Sequence, residues 1–378
     1  MPQSVGRNAY GLSSALNQLG FKSQVWVVEQ NYLGYGADKI LFEKSDPLIW
    51  REIKRLWALS YVFRAEIVFF NFGQTLFQQL PKDYGKDSQL LVRIFSHLYR
   101  RYAHFMQQIE LFLLRTQNKI LLVQYQGDDA RQGEYLLNNF TVSIADQVGS
   151  NYYPMSRDAL KRDQIKIITG CCHKVYALNP DLLHVLPQES EFLPYSHISI
   201  EEWSPVYTQT ESRPLRIGHA PSNRDVKGTG LIFNAIRKLE KSGFEFEFVL
   251  IEGHSHAEAK EYYKNIDVLV DQLFAGWYGG VAVEAMALGK PVLAYIRDED
   301  LKFVPSKMVA DLPIVRATPD TIQSSLREVL EMPRAQLLEL ARQSRAYVER
   351  WHNPNTIAEK IQRDIEAALI KKNEKNET

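Results

Sequence analysis

Along most of this chain, short apolar runs alternate with longer stretches whose apolar residues recur every three or four positions. That is the pattern of strands and amphipathic helices taken in turn. In the first half a helical stretch over 9–19 ends at Gly20 and leads into the run SQVWVVE at 23–29. A helix over 47–63 precedes EIVFFNF at 66–72, a long amphipathic run over 88–119 precedes KILLVQY, and after a polar loop and a helix near 156–163 comes KVYAL at 174–178. Residues 179–210 carry four prolines and no sustained period, as a connector would.

The second half repeats the alternation. Strands are expected at 215–218, 245–251, 266–271, 291–295 and 312–315, and helices at 229–241, 256–264, 280–288, 320–330, 334–349 and 356–369. Strand and helix in alternation imply an α/β fold with parallel, doubly wound sheets. The expected organisation is a domain at 1–180, a linker at 181–213, a second domain at 214–350 and a closing helix at 351–370. The tail KKNEKNET is expected to be disordered.

Composition allows this organisation. At 378 residues and 45% hydrophobic the chain is long enough for two cores, and a mean hydropathy of −0.29 is that of a globular protein. Its cysteines are the neighbours Cys171 and Cys172, which build no disulfide framework, and with His173 they lack zinc spacing. No run approaches the ~20 apolar residues that span a bilayer, and no secretory pattern opens the chain, so the expected location is cytoplasmic.

Formal net charge is zero, which argues against general nucleic-acid binding, but it is unevenly spread. Residues 1–180 hold 21 Lys and Arg against 15 Asp and Glu, and the remainder 24 against 30. The basic excess is visible over 88–119, where Arg93, Arg100, Arg101 and Arg115 intersperse with Leu91, Phe95, Leu98, Phe105 and Phe112. Such a helix either covers a sheet with a solvated basic face or touches an anionic membrane surface at its inner side.

Two segments carry candidate chemistry. In GWYGGVAVEAMALGKP at 276–291, Glu284 is a lone carboxylate among Val281, Ala282, Val283, Ala285 and Met286, and burying it needs a partner. Gly279 and Gly280 open that helix, let a ligand approach the backbone and expose free amides to an anion. In LRIGHAPSNRDVKG at 215–228, a strand and polar loop deliver Arg224 and Lys227 to a helix start, where Arg can fork onto a diphosphate and Lys supplies a point charge. Alternatively Glu284 bonds a neighbouring backbone group or Arg, and the cations belong to a solvated turn.

Together the Arg-x-x-Lys-Gly after a strand and the Gly-rich turn, Glu and Ala-Met-Ala-x-Gly-x-Pro-Val resemble the donor domain of GT-B glycosyltransferases, particularly retaining glycosyltransferase family 4. The resemblance covers residues 214–296 strongly and 1–213 weakly. It implies two Rossmann-like domains about a cleft, the first for acceptor and the second for donor, with the last helix packing back on the first. It also implies that Arg224 and Lys227 hold the donor diphosphate, that Glu284 binds the ribose hydroxyls and that Gly253 lies where the base packs, with no metal and no further cofactor. Nearby, His254 and His256 lack a third metal ligand.

The chain departs from the family in two places. Seven residues before Glu284 the family usually has a second Glu, and here stands Gly276; Asp271 or Gln272 at the end of IDVLVD could supply a group from nearby. Family members begin with a strand before the Gly-containing loop, whereas this sequence starts inside that loop at MPQSVGRN, so a first strand upstream is expected. Loops after strands nominate the acceptor side: Gly6-Arg7-Asn8, residues 71–74 and residues 126–131, with Asn8, Asp128 and Arg131 as candidates. The expected activity is transfer of a sugar from a nucleotide-diphosphate donor to a hydroxyl of a glycan or lipid-linked acceptor, with retention, in polysaccharide or glycoconjugate synthesis. Two alternatives stay open, a catalytically impaired nucleotide-sugar or glycan binding protein and a nucleotide-sugar epimerase of the same fold.

Overall fold

The computed structural model describes residues 7–29, 36–43, 45–77, 90–149, 152–207 and 213–376. Outside them lie Gly6 and the opening segment on which the upstream strand was inferred, residues 88–89 of the basic run, and 208–212 of the connector. The side chains of Leu91 and Arg93 lie outside as well.

The first half runs α1 (Asn8–Gln18), β1 (Trp26–Val27), β2 (Lys39–Ile40), α2 (Leu48–Val62), β3 (Ile67–Asn71), α3 (Leu90–Thr116), β4 (Ile120–Tyr125), α4 (Gly133–Asn139), α5 (Met155–Thr169), β5 (Lys174–Ala177) and β6 (Glu191–Phe192). The second runs β7 (Leu215–His219), α6 (Arg224–Lys227), α7 (Thr229–Lys241), β8 (Phe246–Leu250), α8 (His256–Asn265), β9 (Val268–Val270), α9 (Gly280–Ala287), β10 (Val292–Ala294), α10 (Ser306–Ala310), β11 (Ile314–Arg316), α11 (Ile322–Glu331), α12 (Arg334–Trp351) and α13 (Pro354–Asn376). Among the described residues the strands make three parallel sheets, in the orders β1-β2, β3-β4-β5-β6 and β11-β10-β9-β7-β8.

Strand β4 shows why both faces of a parallel sheet must be covered. Its residues are all buried, and the two-residue period sends Leu121 and Val123 to one face and Ile120 and Leu122 to the other. The first pair packs with Leu111 and Leu114 of α3 and Ile165 and Ile168 of α5. The second meets Leu12 and Ala15 of α1 and Ile357, Ala358 and Ile361 of α13. The last helix therefore completes a layer of the first half, and Asp364 accepts a 2.7 Å hydrogen bond from the Tyr176 hydroxyl of β5. In the second sheet Ile217, Val268 and Val270 face α7 and α11, while Leu269, Val292 and Ala294 face α9 and α12.

Three expectations change. The run at 23–29 forms a strand only at Trp26–Val27, paired with Lys39–Ile40, and backbone hydrogen bonds from Asp38 to Val25 and from Phe42 to Val28 flank that short ladder. The tail continues α13 to Asn376, with Lys372 Nζ on the Asn118 carbonyl at 2.5 Å. The proline-rich stretch after 179 is not a loose tether. Its Glu191–Phe192 adds β6 to the first sheet, and Leu193, Ile198 and Trp203 are buried. Arg345 of α12 donates to the carbonyls of Trp203, Ile200 and Ala287, clamping the stretch to α9.

A buried relay locks the same junction. The His352 ring, at the end of α12, lies 2.9 Å from the Tyr195 carbonyl through Nδ1 and 2.8 Å from the Tyr278 hydroxyl through Nε2, and Tyr278 meets Tyr347 at 2.9 Å. In the second sheet His219 contacts the Val270 carbonyl through Nδ1 and the Thr229 hydroxyl through Nε2, both at 2.8 Å. A ring that donates to a carbonyl and accepts from a hydroxyl is neutral. Burial pushes both imidazoles down, His219 to about 4 and His352 to about 3. Below the ordinary value of 6.5 the unfolded chain takes up protons that these folded rings refuse, so stability falls as pH drops from 6.5 towards 4. Each ring contributes roughly 2–3 kcal/mol to that loss over two pH units. Denaturant unfolding measured from pH 7 down to pH 4.5 should show this slope, reduced in His352→Asn; stability that is flat over the window contradicts the assignment of two neutral rings.

Candidate functional site

β7 delivers the first part of the site. After His219 the chain turns, and Asn223 caps α6 by accepting from the amides of Asp225 and Val226, 3.0 and 3.2 Å away. This single turn aims its two cations differently. Lys227 is buried, and its Nζ reaches Asp271 Oδ1 at 2.7 Å. Arg224 points outward, 56% exposed, and forks onto Glu252 at the end of β8 with bonds of 2.6 to 3.2 Å.

The second part comes from β9 and α9. Asp271, one residue beyond β9, accepts from the Gly279 amide at 2.6 Å with its other oxygen. A Cβ at 279 would stand 3.0 Å from Lys227 Nζ and 3.3 Å from Asp271 Oδ2, so a side chain there would crowd the point where backbone, ammonium and carboxylate converge. Lys227, Asp271 and the first amide of α9 therefore meet at the carboxyl edge of the second sheet, where ligands of open parallel sheets gather. The ammonium and the helix amide form an anion cradle, and Asp271 is the anion they hold. Gly280 begins α9, and Val281 is half-buried against the core.

Further along α9, Glu284 is buried and paired. His256 Nε2 lies 2.8 Å from its Oε1, and His197 Nε2 approaches the same oxygen at 3.4 Å, an ion-pair distance without hydrogen-bond alignment. Burial alone would raise this carboxyl, but the His197 and His256 imidazoles outweigh it and hold Glu284 down at about 2. Gly253 turns the chain after β8, Ser255 and Glu258 form a capping box, and His256 opens α8 facing α9. His254 lies against Tyr262 instead, with ring centres 4.5 Å apart and the planes tilted by 34°.

His197 escaped sequence reading, since it sits in the connector with no motif around it. It lies close against the start of α9, 3.5 Å from where a Gly280 Cβ would be, and its ring is buried. The neighbouring residues tie it to the first half. Asn8 Oδ1 accepts from the Ser196 amide at 2.7 Å while Asn8 Nδ2 donates to Gln124 of β4 at 2.9 Å. Tyr195 donates to Asn179 at 2.9 Å, and Asn179 donates to the Gln126 carbonyl. Gln126 in turn donates to Asn71. Asn8 thus has a structural task, linking β4 to the connector beside the Glu284 carboxylate.

The other acceptor-side candidates lie apart from this cluster, at the loop after β4. Arg131 is buried in a two-pronged pair with Asp181, at 2.7 and 3.2 Å. Half-buried Asp128 accepts from the hydroxyls of Tyr152, at 2.7 Å, and of Tyr153. Asp128 and Asp129 line a cavity of about 610 Å³ between α3 and α5. Asp129, also unforeseen, is raised to about 6 by burial, in spite of hydrogen bonds from the Gly127 and Gln126 amides. Cys171 and Cys172 are free thiols, and His173 Nδ1 accepts from the Leu121 amide at 3.1 Å.

At Gly276 the backbone has φ +78°, and a Cβ would fall 2.6 Å from Arg297 Nη1 and 2.9 Å from Asp300 Oδ2. These two are a buried pair at 2.9 Å that bridges the halves, because Asp300 meets His184 at 2.9 Å and Arg297 donates to the Val142 carbonyl at 2.8 Å. The missing carboxylate thus corresponds to a left-handed turn pressed onto an interdomain ion pair.

No protein-family model matches the chain, and no curated protein matches it. Solved structures do match. Sucrose-phosphate synthase from Thermosynechococcus elongatus aligns with a TM-score of 0.61 over 98% of this chain and 95% of its own, at 16% identity. HepE of Anabaena in complex with UDP-glucose aligns at 0.54 over 96% of this chain and 97% of its own, at 11% identity. The likeness is one of fold, and the fold is GT-B.

The Gly276 geometry predicts that Gly276→Glu costs about 2–4 kcal/mol of stability through left-handed strain and collision with Arg297. Denaturant unfolding at pH 7 measures it. A variant as stable as the parent would show that the turn has room for a side chain.

Proposed function

We propose that the protein is a retaining glycosyltransferase that moves a sugar from a nucleotide-diphosphate donor to a hydroxyl of a glycan or lipid-linked acceptor, without a metal, at the cytoplasmic face of a membrane. The convergence of Lys227, the Gly279 amide and Asp271 carries this reading. It supplies two fixed donors for a diphosphate at the carboxyl edge of a sheet, in a fold shared with a protein solved with UDP-glucose. The diphosphate would take over the donors that Asp271 holds, and Arg224 would exchange Glu252 for a phosphate oxygen. Charge developing on the leaving diphosphate is then offset by Lys227, Arg224 and the α9 amide end.

Glu284 would accept the ribose hydroxyls, since it is ionised through the physiological range and keeps acceptor capacity beyond its histidine contacts. Retention follows if the acceptor hydroxyl attacks from the face the diphosphate leaves and passes its proton to the departing phosphate. No protein base is then required. Gly276 withholds one side chain from the transferred sugar, and Asp271, freed by the incoming diphosphate, is placed to contact it instead.

Incubation with UDP, GDP and dTDP sugars, read by mass spectrometry, tests the class: transfer or hydrolysis supports it, whereas binding without turnover or an isomerised sugar replaces it with a binding protein or an epimerase. With the active donor, Glu284→Ala should weaken donor binding by roughly ten- to thirtyfold. Lys227→Ala should lower kcat by about two orders of magnitude. Because Lys227→Ala strands a buried Asp271, the charge-free pair Lys227→Gln with Asp271→Asn is measured beside it. Unaltered kinetics in folded variants would remove the donor-site assignment.

A further inference from the structure

The connector carries a buried side chain that the fold leaves unsatisfied. His197 is 6% exposed, and among the described residues neither of its ring nitrogens has a hydrogen-bond partner; Nε2 only approaches Glu284 Oε1, at 3.4 Å. His219 and His352 differ, since each engages both nitrogens. An unpaired buried polar atom is costly, and it calls for a partner that the chain itself does not supply.

The neighbouring residues fix where this ring stands. Asn8 holds the Ser196 amide at 2.7 Å, Asn179 holds the Tyr195 hydroxyl at 2.9 Å, and the Tyr195 ring meets the imidazole edge to face with centres 5.7 Å apart. One edge of the imidazole lies over the start of α9, where a Gly280 Cβ would stand 3.5 Å from its Cε1 and 3.6 Å from its Nε2. Gly280 and Glu284 share a face of α9, about 6 Å apart along the axis. His197 therefore sits between the Gly279 amide, which belongs to the anion cradle, and the Glu284 carboxylate one turn on.

Chemistry identifies the missing partner. Beside an ionised carboxylate the ring turns its Nε2–H to Glu284, and a neutral imidazole so placed offers Nδ1 as an acceptor. A hydroxyl can donate to it, whereas an ionised phosphate oxygen cannot. Glu284 Oε1 is already met by His256 at 2.8 Å, which leaves chiefly its second oxygen for a ligand. A vicinal diol suits both groups at once.

We infer that His197 is a donor-binding residue lent by the connector, its Nδ1 taking one hydroxyl of the donor's ribose while Glu284 takes the other. This rests on the transfer reading and narrows its substrate class. A site that holds both hydroxyls selects ribonucleotide sugars, such as those of UDP or GDP, and rejects 2′-deoxyribonucleotide sugars such as those of dTDP, which leave one buried acceptor unpaired.

The full-length protein is titrated by calorimetry with UDP and GDP, then with the 2′-deoxy and 3′-deoxy analogues of whichever binds more tightly. The ribonucleotide should bind about tenfold more tightly than either analogue. His197→Phe keeps the ring's bulk and removes both nitrogens. It should weaken the ribonucleotide about tenfold and leave unchanged the analogue that lacks the hydroxyl His197 holds. His197→Asn, whose amide falls near Nδ1, should keep most of the affinity and the preference. A loss of equal size for all three ligands marks a structural histidine and overturns the inference, as does His197→Phe binding like the parent, His197→Asn losing as much as His197→Phe, or a parent that binds the deoxy analogues equally well. Nucleotide binding that depends on Lys227 but not on His197 leaves the donor reading standing and removes this one; binding of neither nucleotide removes both. Far-UV circular dichroism on the same samples shows that each variant is folded, and His197→Ala is read in place of His197→Phe if the latter is not.

Discussion

A buried ammonium stays charged only if an anion stands beside it, and the pair at Lys227 and Asp271 sets the terms for everything near it. Each ion sheds water and is compensated by the other, with the Gly279 amide supplying the remaining hydrogen bond to the carboxylate. Neither partner can leave without a replacement of the same sign. On the proposed function, an incoming diphosphate would substitute for Asp271 in a nearly balanced exchange instead of filling an uncompensated positive hole. Any replacement must reach both donors at once, as the two oxygens of the Asp271 carboxylate do.

That exchange is useful only if the acceptor side is held at a fixed distance, and the connector provides the constraint. Tyr195 and Ser196 hydrogen-bond Asn179 and Asn8, and His197 lies 3.4 Å from the Glu284 carboxylate, so three consecutive residues touch the loop after β5, the start of α1 and helix α9 of the second half. Arg345 and His352 pin the same segment from behind. Burial and partners divide the labour of the histidines. His219 and His352, each between a carbonyl and a hydroxyl, are neutral structural links, whereas His197 and His256 face a carboxylate that is ionised beside them.

Periodicity made the second half legible. The helix at 229–241 and the Gly-rich opening of α9 follow from local pattern, because apolar spacing and glycine placement are properties of a few adjacent residues. What stayed hidden depends on residues far apart in the chain. Asn8 read as a loop residue near a ligand but is consumed by Gln124 and Ser196, and His197 gains its meaning only from α9. The proline-rich connector looked structureless because a two-residue strand such as β6 has no period to detect; its existence rests on the exposed edge of β5. Gly276 read as a lost carboxylate, and its positive φ against Arg297 is a packing requirement that no one-dimensional pattern carries.

Net charge runs against the proposed donor assignment, since residues 181–378 hold 24 cations against 30 acids while a nucleotide diphosphate is itself anionic. Distance resolves it. Exposed acids more than a Debye length away, about 8 Å at physiological ionic strength, are largely screened, whereas Lys227 and the α9 amide act at hydrogen-bond range in a buried setting. Glu252, just beyond β8, is paired with Arg224. The field a diphosphate meets at the sheet edge is therefore set by a few oriented donors rather than by the sum over the half.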